Sequence, residues 1–96
     1  MKVIIVEDDI ITRKVLLKIL ERYANCDCVD NGEQALEAFR RQRAVDDPYD
    51  LICLDILLPE MDGRQVLESI RKEEDAEELD QDSRVKVIMI SGLTDQ

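Results

Sequence analysis

The chain has no histidine and no tryptophan, and only 3% of its 96 residues are aromatic. Its core must therefore be built from Ile, Leu and Val, within an ordinary apolar fraction of 45%. Basic residues are also scarce: 13 Lys and Arg stand against 23 Asp and Glu, for a formal net charge of −10. That argues against nucleic acid and anionic membrane as direct partners, because both need a basic footprint. It suits a basic protein partner, a divalent cation or simple solubility. After Met1-Lys2 only four apolar residues precede three acids, which is too short for a signal peptide or a membrane span. A cytoplasmic location is expected. Three cysteines, an odd number without an export signal, are expected as free thiols. Cys26 and Cys28 lie two apart on one side of a short strand, and a metal there would need further Cys or His ligands. No internal repeat and no linker divides the chain, so residues 1–96 read as one small domain.

Three short apolar runs are present, and each stops at an acid or a hydroxyl. Residues 3–6 (Val-Ile-Ile-Val) stop at Glu7, Asp8 and Asp9. Residues 51–54 (Leu-Ile-Cys-Leu) stop at Asp55. Residues 85–90 stop at Ser91. Runs of four to six residues rich in Val and Ile read as buried strands. The run at 51–54 is apolar on both faces, as a central parallel strand is. If the strands are parallel, their carboxyl ends share the sheet edge where ligands bind in open α/β folds.

Between the strands the apolar period changes to that of a helix. Ile11, Val15, Ile19 and Tyr23, widened by Leu16 and Leu20, form a stripe after a capping Asp9 or Asp8. Residues 26–29 read as a second strand. Asn31 with Gln34 fits an N-cap and its reciprocal partner, opening a helix over about 32–42. Asp62 with Gln65 fits a second such pair before Val66, Leu67 and Ile70. Residues 73–82 carry seven acids and read as a helix extension or a solvated loop. The order β-α-β-α-β-α-β predicts a parallel sheet with right-handed crossovers.

Glu7, Asp8 and Asp55 offer hard oxygen ligands for Mg²⁺, which takes one or two carboxylates and keeps waters or phosphate oxygens. Two like charges ~4 Å apart repel by about 4 kcal/mol at an effective dielectric of ~20, so convergence of three asks for a cation. An Asp beside Mg²⁺ can attack a phosphoryl group and form an acyl phosphate. A hydroxyl such as Ser91 can hydrogen-bond the transferred group.

The string from Asp55 to Gly63 has an Asp, a Pro four residues on, and then Met61-Asp62-Gly63. Together with residues 6–9 (Val-Glu-Asp-Asp) and 90–92 (Ile-Ser-Gly), it resembles the receiver domain of two-component response regulators. The resemblance implies a flavodoxin-like doubly wound α/β sheet of strand order 2-1-3-4-5. It implies that Asp55 accepts a phosphoryl group from a phosphohistidine on a sensor histidine kinase or phosphotransfer protein, and that a downstream protein target reads the result. It makes Asp8 a direct Mg²⁺ ligand and Glu7 one acting mainly through water, with the Leu57 carbonyl as backbone ligand. Ser91 matches the switch hydroxyl. Pro59 and Gly63 shape the loop into the third helix.

Two departures accompany the resemblance. The acidic stretch 73–82 lengthens one connection, as a solvated insertion or a partner-specific surface. The sequence also stops just after the fourth strand. The expected sheet is therefore 2-1-3-4, a receiver incomplete at its C-terminus. The family's fifth strand, its last two helices, and the lysine and switch aromatic of that strand have no counterpart, and Lys72 and Lys86 stand at the wrong places. A fourth strand left at the sheet edge is expected to drive self-association. An alternative reading is a pseudo-receiver, an interaction module that does not switch. A metal-dependent phosphatase with an Asp nucleophile resembles its relatives in a second acid two residues on, a position held here by Leu57.

Overall fold

The computed structural model describes residues 1–90. Strands β1 (Lys2–Val6), β2 (Asn25–Val29), β3 (Leu51–Asp55) and β4 (Lys86–Ile90) alternate with helices α1 (Ile10–Leu20), α2 (Gly32–Ala44) and α3 (Gly63–Ala76). A short 3₁₀ turn, Gln81–Ser83, precedes β4. The strands form one parallel sheet in the order β2-β1-β3-β4. This is the expected flavodoxin-like order over the described residues.

Register divides the sheet into two faces. Ile4, Val6, Ile52 and Leu54 point towards α2 and α3, where Leu36, Phe39, Val66 and Ile70 complete the larger core. Val3, Ile5 and Cys53 point the other way and pack against Leu16, Leu17 and Leu20 of α1. Val3 to Val6 are all fully buried, which explains a strand apolar at every position rather than alternating.

Each helix starts where its cap dictates. The Asp9 carboxylate accepts from the Thr12 N–H at 2.8 Å and from the Thr12 hydroxyl at 2.7 Å. Asn31 caps α2 through the Gln34 N–H at 2.9 Å, but Gln34 returns its side-chain oxygen to the Asp30 N–H rather than to Asn31. Asp62 and Gln65 form the complete reciprocal box at the head of α3. Such caps contribute about 1 kcal/mol each.

One feature differs from expectation. The stripe of Ile11, Val15, Ile19 and Tyr23 is exposed, not buried. Helix α1 is apolar around most of its surface, so two stripes compete, and the Asp9–Thr12 cap turns the Thr12, Leu16 and Leu20 row onto the sheet. The acidic stretch is in part the helix extension that the sequence allowed, and four of its acids are paired. Helix α3 runs on to Ala76. Glu73 meets Arg40, Glu77 meets Arg43, Asp75 meets Arg84, and Glu74 is buried against Arg71.

Candidate functional site

Parallel pairing puts the carboxyl ends of β1 and β3 side by side. Val6 is the register partner of Leu54, so the next residues, Glu7 and Asp55, are neighbours. Asp8 follows Glu7 at the mouth of the same edge. Each of the three offers a carboxylate oxygen, and these atoms all lie within 4.8 Å of one another. The sheet therefore brings together the three acids that the sequence singled out.

Their environments differ. Glu7 is fully buried and Asp55 is 3% exposed, while Asp8 is exposed. One Glu7 oxygen, Oε2, accepts from the Asp9 N–H at 3.1 Å. The other, Oε1, is buried with no hydrogen-bond partner. A buried carboxylate oxygen left unpaired costs free energy unless a proton or a cation meets it. Accordingly the Glu7 carboxyl is pushed up from an ordinary value near 4.5 to about 7. Burial is the main cause, and Asp55 and Asp8 add to it against the Asp9 N–H. Asp9 itself does not join the cluster: its carboxylate is spent on Thr12, which holds its pKa below the ordinary value.

Asp55 is fixed from two directions. Its Oδ1 accepts from the Leu57 N–H at 3.1 Å. The following residue, Ile56, is gripped by β4 through its N–H to the Ile90 carbonyl, 3.0 Å, and by α3 through the Gly63 N–H to its carbonyl, 3.0 Å. Leu57 is exposed, and no donor among the described residues hydrogen-bonds its carbonyl. Ser91 lies outside the described residues.

This donor set suits a hard divalent cation. It is all oxygen, carries up to three negative charges, and contains a buried oxygen without a partner. Magnesium fits it better than a softer metal, because no thiol or imidazole is near. The sequence placed Gly63 only in the loop before α3. Its close approach to the Asp55 peptide has one local signal, the Asp62-Gly63 dipeptide, which a turn alone would also produce.

Among the described residues no helix is long and apolar enough to cross a membrane. The family profile described as "Response regulator receiver domain" matches residues 3–96. Hybrid signal transduction histidine kinase K of Dictyostelium discoideum is 38% identical over 72 residues, covering 74% of this chain and 6% of the kinase. Two-component response regulator ORR41 of Oryza sativa subsp. japonica is 37% identical over 70 residues, covering 73% of this chain and 55% of the regulator. The chain thus spans only part of the length of these relatives. Among solved structures, the receiver domain of the histidine kinase CKI1 from Arabidopsis thaliana, complexed with Mg²⁺ and BeF₃⁻, superposes with a TM-score of 0.79. It is 27% identical, and the match covers 99% of this chain and 68% of that one. The chain belongs to the response regulator receiver domain family of two-component signalling.

Proposed function

We propose that this chain is a phospho-accepting receiver domain in which Asp55 takes a phosphoryl group from a phosphohistidine. The observation that carries the reading is the convergence of Glu7, Asp8 and Asp55 within 4.8 Å around a buried, unpartnered Glu7 oxygen. Asp8, Asp55 and the Leu57 carbonyl would hold Mg²⁺, with Glu7 acting mainly through water. When bound, the cation supplies positive charge that offsets the repulsion among carboxylates and phosphoryl oxygens.

The chain's own groups do the rest. The Leu57 N–H holds Asp55 Oδ1, which orients the carboxylate and leaves its other oxygen to attack phosphorus. The O–P bond forms as the P–N bond breaks, and the electron pair leaves with the donor's imidazole. The product is an acyl phosphate on Asp55. The Ser91 hydroxyl would hydrogen-bond the transferred group and act as the switch hydroxyl.

The partners in this reading are a sensor histidine kinase or phosphotransfer protein and a downstream protein target. Direct nucleic-acid or membrane binding is not part of it, and the setting is cytoplasmic. Both hybrid kinases and response regulators occur among the relatives, which supports a phosphotransfer role without naming the output. The domain spans residues 1–96 and acts as a signalling module, at most promoting its own phosphorylation and dephosphorylation. Incubation with acetyl phosphate and Mg²⁺, read by intact mass, should add one phosphoryl group, and Asp55→Ala should abolish it. Uptake that persists in Asp55→Ala removes the assignment. A folded wild-type protein that takes up none points instead to a non-switching interaction module.

A further inference from the structure

We infer that Gly63 is a positioning residue for Asp55, an inference that rests on reading the acid cluster as a Mg²⁺-dependent phosphoacceptor site. A Cβ at position 63 would lie 2.3 Å from the Asp55 carbonyl oxygen. It would also lie 3.1 Å from the Asp55 carbonyl carbon and 3.1 Å from the Ile56 Cα. All three are backbone atoms, so no rotamer change can make room. Neither described glycine has a positive φ, so position 63 does not use glycine's conformational freedom. It uses the missing side chain, which lets the first residue of α3 press on the peptide that follows Asp55.

Neither body in this contact can yield cheaply. Ile56, the residue after Asp55, donates its N–H to the Ile90 carbonyl of β4 and accepts on its own carbonyl from the Gly63 N–H. The head of α3 is held by the Asp62–Gln65 box and by Val66 and Ile70, both fully buried. A side chain at 63 must therefore move Asp55, the head of α3, or both. Asp55 moves together with the turn that carries Leu57, whose N–H orients the carboxylate. The consequence is a change in the spacing of Asp55 from Glu7 and Asp8, not merely a less stable helix.

Gly32 provides the contrast. A Cβ there would meet Val66 Cγ2 at 2.7 Å and the Met61 sulfur at 3.0 Å. Both are side-chain atoms, the Met61 sulfur on a flexible chain and Val66 Cγ2 on a branched, buried one, and neither belongs to the Asp55 backbone. Gly32→Ala should cost stability by crowding while leaving the acid cluster in place.

The test compares wild type, Gly63→Ala and Gly32→Ala by calorimetric Mg²⁺ titration, by the rate of phosphoryl uptake from acetyl phosphate, and by urea unfolding. Gly63→Ala should lose about tenfold or more in both Mg²⁺ affinity and uptake rate, as displaced supporting groups do. Gly32→Ala should keep both near the wild-type values whatever its stability. If Gly63→Ala is too unstable to titrate, all three proteins are measured again in trimethylamine N-oxide, which favours the compact state. Wild-type Mg²⁺ affinity in folded Gly63→Ala overturns the inference. So does an equal loss in Gly32→Ala, or a Gly63→Ala that stays unfolded in the osmolyte. A wild-type protein that neither binds Mg²⁺ nor takes up phosphoryl groups overturns the phosphoacceptor reading instead, so the two failures are distinct.

Discussion

The buried Glu74 carboxylate accepts a hydrogen bond from the Val85 N–H at 2.8 Å, joining the end of α3 to the entry of β4. Its other oxygen accepts from Arg71 at 2.6 Å, and the same Arg71 nitrogen donates to the Val85 carbonyl at 2.9 Å. The strand whose far end reaches Ile90, beside the Asp55 peptide, is thus anchored at its start by a closed polar network. Removing Glu74 leaves the Val85 N–H without a partner and takes the carboxylate from Arg71, which keeps only the Val85 carbonyl. Glu74→Ala is expected to cost about 2–4 kcal/mol, whereas Glu74→Gln keeps an acceptor for Val85 and should cost less. Urea unfolding of the two variants checks the order, and equal costs would deny the hydrogen bond its role.

Glu7 makes metal-free stability depend on pH. Its folded pKa, about 7, lies above the ordinary value near 4.5. Between those values the folded state holds a proton that the unfolded chain has released. Stability therefore falls as pH rises from about 4.5 to about 7 and levels off above. The full loss across that window is on the order of 3 kcal/mol. Glu7→Gln cannot titrate and should flatten this slope. The measurement is a set of urea midpoints from pH 5 to pH 8 in a chelator, and a slope unchanged in Glu7→Gln would assign it to other groups.

Magnesium should stabilise the fold through Asp8 and Asp55. A ligand that binds only the folded state adds about 2.7 kcal/mol at ~100-fold saturation. Thermal melts should rise with Mg²⁺ and respond far less to NaCl of equal ionic strength. Asp8→Asn removes one of three mutually repelling charges, so its metal-free melt should rise while its Mg²⁺ increment shrinks. An undiminished increment in Asp8→Asn would place the cation elsewhere.

The strand ends were the most legible part of the sequence, because two Val/Ile runs that each close on an acid point to two carboxyl ends on one sheet edge. Asp9, Asn31 and Asp62 marked helix starts correctly, since a cap is a local interaction. Helix ends were less clear. Asp46 and Glu78, just past α2 and α3, adopt left-handed backbone (φ 59° and 55°) where glycine is the usual signal, so the sequence carried no stop. The buried face of α1 could not be chosen from periodicity, because Leu16 and Leu20 fit one stripe and Ile11, Val15 and Ile19 another. Arg40, Arg43 and the Val85 N–H, which meet Glu73, Glu77 and Glu74, lie on α2 and at the entry to β4, and no local rule reaches that far. The same holds for Gly63, whose neighbour is a backbone atom of another element.

The last expectation concerns the open edge of β4. Among the described residues β4 pairs with β3 and with no strand on its other side. Ile88, on the face shared with α1, is 50% exposed, and Ile10, Ile11, Val15 and Ile19 of α1 are exposed as well. An unpaired strand edge is a template for a second chain, and an apolar face beside it favours the same contact. A polypeptide of these 96 residues should therefore self-associate, by pairing at β4 or by exchanging elements between copies. Ile88→Lys places a charge on that face, away from Glu7, Asp8 and Asp55, and should shift the population towards monomer. Light scattering after gel filtration at ~100 µM, a range where exposed edges associate, reads both proteins. A wild-type monomer with one sharp urea transition would mean that the β4 edge and the Ile88 face are covered, and the expectation would fail.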